Sequence, residues 1–287
     1  IGGEDFVVFN GPDEQYVAGR SIGADGGIGG TYGAMPELYL KMHERFEAGD
    51  LAGARRAYPV IERVFLADGD ALILPQEHLL RILHFIREKI PECRRVGIYS
   101  SPRSIKTKTL GQLTELAEAG LHIAYLGLES GNEQVLARMN KGETVSEIIE
   151  AGRKVKAAGI ALSLTAINGL GGAEMSREHA IDTAKAVSAI KPDYVALLTL
   201  RVYTGTPLAD WVEEGSFTLM DPVELARESR LFLEHVDSEG SVFRSNHASN
   251  YLPLAGTLNA DREKMIAQLD AALAGKRRFR SQVELGF

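Results

Sequence analysis

The 287-residue chain has a single cysteine, Cys93, only 10 prolines, and fewer basic than acidic side chains. A lone thiol excludes an intrachain disulfide and any cluster or zinc site built from several cysteines of this chain alone. The 32 Lys+Arg against 39 Asp+Glu leave a net charge of −7. That balance argues against a nucleic-acid partner but leaves anionic small molecules open, because a few local cations suffice for those. No apolar run approaches the roughly 20 residues that span a bilayer, and no basic segment leads into an apolar one at the N-terminus. The expectation is therefore a cytoplasmic protein with no membrane partner. Nucleophile-elbow, phosphate-loop and zinc motifs are also missing. What remains is the composition of an ordinary globular protein, 45% hydrophobic and 25% charged, long enough to bury a large core.

Short runs rich in β-branched residues alternate with amphipathic stretches: 6–10, 64–67, 96–99, 123–128, 161–167 and 194–200 read as strands. Strand alternating with helix is the pattern of a parallel sheet in an α/β fold. After Thr144, the residues Val145, Ile148, Ile149, Gly152 and Val155 trace one helical face, and Thr144 with Glu147 makes a capping box. Thr109 with Gln112 repeats that start signal, and Gly120 and Gly159 stand where the helices must stop. The glycine-rich 26–29 adds a seventh strand and 242–245 an eighth. The resulting expectation is a (β/α)8 TIM-type barrel, complete or nearly so, forming one domain over residues 1–287; an open doubly wound sheet is the alternative.

In either architecture ligands meet the residues that follow the strands. Those positions hold Asn10, Gly11, Asp13 and Glu14; Gly30 and Thr31; Asp68, Gly69 and Asp70; Ser100, Ser101 and Arg103; Glu129, Ser130 and Asn132; and 168–172 and 201–206. Glycine turns and helix starts suit anionic groups, and carboxylates suit hydroxyls and ammonium groups, so a zwitterionic or sugar-bearing small molecule is the expected ligand. His247 is the histidine placed best for a role, within a polar stretch. His43, His78, His84, His179 and His235 lie on helix patterns, and His122 precedes a strand, so no metal-ligand spacing emerges. Lys276, Arg277, Arg278 and Arg280 read as a solvated helix end or tail. No residue stands out as catalytic.

Two resemblances divide the chain. Val64-Phe65-Leu66-Ala67-Asp68-Gly69-Asp70, Ile98-Tyr99-Ser100-Ser101-Pro102-Arg103, Tyr125-Leu126-Gly127-Leu128-Glu129-Ser130-Gly131, Asn140-Lys141-Gly142, Asn168-Gly169-Leu170-Gly171-Gly172 and Gly205-Thr206-Pro207-Leu208 follow in that order. Through them residues 64–287 resemble the radical S-adenosylmethionine superfamily, in its elongator and coproporphyrinogen-oxidase-like branch. The resemblance implies a site for S-adenosylmethionine in which Asp68, Gly69 and Asp70 meet the methionyl amino group. Glu129, with Ser100 and Ser130 beside it, would face ribose or methionyl groups, Lys141 would pair with the cofactor carboxylate, and Gly169 and Gly171 would let backbone approach the adenosine. The superfamily opens with a CxxxCxxC loop whose thiolates hold a [4Fe-4S] cluster, and a single cysteine cannot replace three. No iron-sulfur cluster is expected, and Cys93 reads as a half-buried helix-end residue.

Phe9-Asn10-Gly11-Pro12-Asp13-Glu14, then the glycine-rich run through Gly30 and Thr31, and Glu47-Ala48-Gly49-Asp50 carry the second resemblance. Residues 1–63 resemble the C-terminal part of N-acetylneuraminate lyase and dihydrodipicolinate synthase. The likeness implies that Gly11, Asp13, Glu14, Gly30 and Thr31 contact a sugar-acid substrate. The family's Schiff-base lysine and relay tyrosine lie upstream of the matched stretch, and Lys41, on a helix pattern, offers no desolvated amine. The change of resemblance near Val64 reads as an apparent chimera of two barrel fragments. Three functions follow: a radical-SAM-type barrel with residual S-adenosylmethionine binding and little or no radical activity, an aldol lyase, or a non-catalytic recombined scaffold.

Overall fold

A computed structural model describes residues 9–10, 16–21, 23–27, 36–56, 62–67 and 69–285. The chain divides into two compact units, Ile1–Ile61 and Glu62–Phe287, a division close to the change of resemblance near Val64.

In the first unit, β1 (Phe9–Asn10) leads through α1 (Tyr16–Ser21) to β2 (Gly26–Gly27), followed by α2 (Pro36–Glu47) and α3 (Leu51–Arg56). The two strands are parallel, with Phe9 opposite Gly26 and Asn10 opposite Gly27. This confirms the glycine-rich strand at 26–27; the remainder of the strands expected over 6–10 and 26–29 lies outside the described residues. Tyr16, Val17, Met42 and Ala54 form a small core with Tyr39 and Phe46 against it. The buried Tyr16 satisfies its hydroxyl on His43 Nδ1 at 2.9 Å, as an aromatic hydroxyl taken out of water must.

The second unit runs β3 (Arg63–Leu66), α4 (Gln76–Lys89), β4 (Arg95–Ser100), α5 (Pro102–Thr107), α6 (Leu110–Ala119), β5 (Leu121–Glu129), α7 (Glu133–Arg138), α8 (Val145–Ala157) and β6 (Ala161–Asn168). It continues with α9 (Gly172–Ile190), β7 (Tyr194–Thr199), α10 (Pro207–Glu213), α11 (Pro222–His235), β8 (Val242–Ser245), β9 (Leu254–Thr257) and α12 (Arg262–Leu273). These seven strands form one sheet in sequence order, β3 to β9. β3 through β8 are parallel neighbours, and β9 returns antiparallel to β8. The α/β class and the strand at 242–245 are as the sequence implied. β9 went unread, because Leu254-Ala255-Gly256-Thr257 has weak strand propensity and only pairing with β8 makes it a strand.

Local chemistry explains the helix starts. Thr109 with Gln112 and Thr144 with Glu147 close reciprocal capping boxes on α6 and α8, each satisfying two backbone donors that would otherwise be orphaned. Alternation along the strands then sorts the side chains by face. Ile98, Leu126, Leu162, Leu164, Val195 and Phe243 pack against Leu113, Leu116, Val155, Val187 and Leu233. Phe65, Tyr99 and Tyr125 meet edge to face, with centroids 4.6 to 6.2 Å apart. No helix among the described residues is long and apolar enough to cross a membrane.

Leu126 lies in the middle of β5, the longest of the described strands, and is 1% exposed. Leu126→Ala is expected to lower the unfolding free energy by about 2–5 kcal/mol in urea denaturation. A loss under about 1 kcal/mol would show that the packing on β5 is not central to the sheet.

Candidate functional site

Because β4 to β8 run parallel, their last residues share one edge, and all five are polar: Ser100, Glu129, Asn168, Thr199 and Ser245. The carboxyl edge of such a sheet is where α/β proteins place ligands. The side chains along it are held by specific bonds. Ser100 Oγ donates to the Tyr125 carbonyl at 2.9 Å. Asn250 reaches the Leu197 carbonyl (2.8 Å), Ser245 Oγ (3.0 Å) and Thr199 Oγ1 (2.9 Å), which fixes the far end of the row.

Between β3 and α4, Gly69 is exposed, and Asp70 precedes a short 3-10 turn, Ala71–Ile73. Ser101, the cap of α5, donates its hydroxyl to Asp70 Oδ2 at 2.5 Å. Asp70 Oδ1 is buried and has no hydrogen-bond partner among the described residues. Nearby Lys108 is buried and donates to the Leu74 carbonyl at 2.7 Å. Burial pushes its pKa down, and the Asp70 charge opposes that.

At the end of β5 the ladder slips register between Gly127 and Glu129, and Glu129 takes φ of 60°. A left-handed conformation is costly for a residue with a Cβ and concentrates at functional positions. The Glu129 carboxylate lies 3.7 Å from Lys141 Nζ, on the turn between α7 and α8. Gly127 leaves it room, since a Cβ there would lie 2.6 Å from Glu129 Oε1. Ser100, Ser101, Gly127, Glu129, Lys141 and Glu143 line a cavity of about 180 Å³ together with apolar neighbours. A second hollow of about 240 Å³ lies on the flank between α5 and α8. Two of its lysines are engaged, Lys106 with Glu147 at 3.2 Å and Lys154 with the carbonyls of Ile105 and Lys108.

Beneath the edge lies a buried polar network. Ser130, His179 and Glu228 are at most 3% exposed. His179 Nε2 contacts the Ile167 carbonyl at 3.0 Å and Nδ1 meets Ser130 Oγ at 2.8 Å. A carbonyl only accepts, so Nε2 carries the proton and Nδ1 accepts from the serine hydroxyl. Ser130 Oγ in turn accepts from Asn132 N–H at 3.0 Å, and Gly131 N–H donates to Thr183 Oγ1 at 2.9 Å. Glu228 Oε1 accepts from Gly169 N–H at 2.6 Å and stands 3.7 Å from His179 Nε2. Asn168 donates to the Leu225 carbonyl and to Ser229 Oγ at 3.1 and 3.0 Å. Burial pushes the Glu228 carboxyl up to about 7, against the pull of Ser176 and the Gly169 amide. Burial also pushes His179 down to about 4, against the Ile167 carbonyl and Asp182. Serine, histidine and carboxylate in series resemble an acyl-transfer triad, but the Ser130 hydroxyl is fully buried and the adjacent cavity is about 10 Å³. No acyl group reaches it.

Of the residues the sequence singled out, Ser100, Glu129 and Lys141 share the cavity, and Asp70 joins them through Ser101. Ser130 is committed to the network below, and Gly169 and Gly171 form the buried turn into α9. Gly11, Asp13, Glu14, Gly30, Thr31 and Asp68 lie outside the described residues. His247 is exposed and bonds locally to Ser249 Oγ at 2.9 Å. Cys93 is half-buried before β4, with Sγ 3.6 Å from the Arg95 carbonyl. Sequence reading missed Glu228 and left His179 as one helical histidine among several. The available signal was a carboxylate on the apolar face of α11, in step with Leu225, Ser229 and Phe232.

The pair has a defined pH signature. Unfolded, Glu228 ionises above about 4.5 and His179 loses its proton above about 6.5; folded, the corresponding values are about 7 and about 4. From pH 4.5 to 6.5 the unfolded pair therefore carries one proton, on histidine, and the folded pair one, on glutamate, so their contributions to the pH slope cancel. Glu228→Gln leaves the histidine contribution alone, and stability then falls as pH drops. Urea unfolding of E228Q is expected to lose roughly 2 kcal/mol between pH 6.5 and 5 relative to the parent; parallel pH profiles would contradict the assignment. Gly131→Ala would place a Cβ 2.2 Å from the Asp182 carbonyl oxygen and 2.5 Å from Thr183 Cα. That variant is expected to lose several kcal/mol of stability in the same assay, on the order of other overpacked core changes.

Comparison with known proteins follows the division of the chain. Residues 47–187 match the model of the radical SAM superfamily, and residues 2–68 match that of the dihydrodipicolinate synthetase family. An N-acetylneuraminate lyase of Mediterraneibacter gnavus is 61% identical over 54 residues, 19% of this chain and 17% of the lyase. An uncharacterized protein of Methanocaldococcus jannaschii is 28% identical over 174 residues, 60% of this chain and 53% of that protein. The chain thus spans about half the length of the archaeal relative and a small part of the lyase. Among solved structures, an archaeal Methanocaldococcus infernus Elp3 with an N-terminal deletion superposes with a TM-score of 0.53 at 17% identity, covering 86% of this chain and 62% of that one. At that identity the likeness speaks for the fold alone. The chain carries a segment matching the dihydrodipicolinate synthetase family followed by a segment matching the radical SAM superfamily.

Proposed function

We propose that the second unit binds S-adenosylmethionine at its strand ends without running radical chemistry, in a chimeric chain joined from pieces of two βα-barrel families. The observation that carries this reading is a pair of unlike charges at the strand ends: Lys141 lines the cavity, and Asp70 is tied to its rim through Ser101. Asp70 offers a buried, unpartnered oxygen suited to an ammonium, while Lys141, beside a strained Glu129, offers a cation suited to a carboxylate. An α-amino acid presents those two groups together. At about 180 Å³ the cavity is smaller than the roughly 300 Å³ of the least whole-ligand pockets. It suits the methionyl end, and the adenosine would lie over the open rim toward Gly169.

When bound, a [4Fe-4S] cluster supplies the electron that cleaves S-adenosylmethionine in the radical superfamily, and thiolates are the ligands it takes. This chain's donor set does not fit it. The one thiol, Cys93, precedes β4, whereas the candidate site follows the strands. Radical chemistry is accordingly left out of the proposal.

The 61% identity to a lyase over 54 residues motivates a second reading, an aldol lyase acting through a Schiff base. Lys41, the lysine of the first unit, is exposed on α2, whereas a reactive amine is desolvated. Borohydride with pyruvate is therefore expected to trap no adduct, and an adduct on the chain would revive the lyase.

Calorimetric titration with S-adenosylmethionine tests the main reading. Saturable one-to-one binding is expected, weakened about tenfold or more by Lys141→Ala through loss of a charged contact. Anaerobic reconstitution with iron and sulfide is expected to leave the chain without a stable cluster. Absence of binding, with cooperative unfolding intact, would favour a non-catalytic scaffold instead.

A further inference from the structure

The network under the rim has a consequence for whatever binds above it. Three segments meet there that are far apart in sequence: the turn after β5, the turn after β6 and the middle of α11. One backbone amide on each of the first two is tied to one of two buried side chains. Asn132 N–H reaches His179 through the Ser130 hydroxyl, and Gly169 N–H ends on Glu228. The two side chains lie 3.7 Å apart, on α9 and α11, so the two helices fix the spacing of the two turns. Neither side chain lines the 180 Å³ cavity. Gly169 takes φ of 86°, and a Cβ there would lie 2.9 Å from Leu225 Cδ2. The turn is thus pressed onto α11 at the point where Glu228 receives its amide.

We propose that His179 and Glu228 are positioning residues: they hold the 129–132 and 167–171 turns at the separation the strand-end ligand site requires, without touching the ligand. The ligand part of this inference rests on the S-adenosylmethionine reading, while the positioning part concerns this chain's own backbone. Glu228 acts through its Oε1, which accepts the Gly169 amide whether or not Oε2 carries a proton. A glutamine keeps that acceptor, and a leucine of similar bulk removes it. For His179, leucine removes the partner of Ser130 and so loosens Asn132.

The test uses the full chain and two readouts, backbone amide hydrogen exchange and calorimetric binding of S-adenosylmethionine. Glu228→Leu is expected to speed exchange at Gly169 about tenfold or more, from loss of a buried hydrogen bond, and E228Q to restore it to within about threefold of the parent. His179→Leu should do the same at Asn132, which keeps the proposal testable if one of the leucine variants fails to fold. Leu269→Ala on α12, a core change distant in the chain from either turn, serves as the control for lowered stability. Affinity should follow the local exchange, weakened in the leucine variants, retained in E228Q and retained in the control. Equal weakening in the control, or unchanged exchange at Gly169 and Asn132 in the folded leucine variants, would overturn the proposal. If the parent binds no S-adenosylmethionine, the cofactor reading fails on its own, and the exchange pattern still decides whether the pair positions the turns.

Discussion

The parallel pairing of β4 through β8 is the constraint on which everything else depends. Parallel strands in sequence order send every chain crossing over the helices and deliver every strand end to one edge. An apolar sequence could occupy that edge only at the cost of unsatisfied backbone groups. Here each of the five strands ends on a polar side chain, the turn after β5 is held by His179 and Thr183 of α9, and the turn after β6 by Glu228 of α11. The site is a by-product of how the sheet ends.

Two layers of polar chemistry result. The upper layer lies nearer the surface and is incompletely satisfied: Asp70 Oδ1 is buried with no hydrogen bond among the described residues, and Glu129 is held in a conformation unfavourable for its type. The lower layer is nearly closed, with His179 using both ring nitrogens and Glu228 receiving the Gly169 amide. The lower layer is the more fully bonded of the two, with Glu228 Oε2 its one oxygen without a hydrogen bond among the described residues, and a rigid layer below holds the binding groups above it in place. The carboxyl of Glu228, driven upward by burial alone, belongs to the supporting layer despite a pKa that would suit an acid-base catalyst.

Much of this was legible in the sequence. Strand-helix alternation gave the α/β class, Thr109 and Thr144 marked helix starts, the positions after the strands gave Ser100 and Glu129, and the family resemblance gave Lys141; these three share a cavity. What escaped was set by tertiary contact. β9 has little propensity of its own and exists through its pairing with β8. His179 and Glu228 sit on helices whose periodicity is ordinary, and their bonds reach across 49 and 59 residues. A charged residue on an apolar helix face signals that a partner must exist, but it does not say which. The polar stretch that drew attention to His247 does reach the strand ends, through Ser249 and Asn250, which bond to Thr199.

The central claim is that the carboxyl edge of the second unit receives the two charged ends of an amino-acid-bearing ligand. Amide chemical-shift mapping during titration with S-adenosylhomocysteine, which keeps those ends and lacks the sulfonium charge, addresses it most directly. The account predicts saturable shifts at Asp70, Ser101, Glu129, Lys141 and Gly169, with the amides of β9 and α12 unmoved. Shifts scattered over the flank between α5 and α8, or none at the strand ends at saturating ligand, would contradict it.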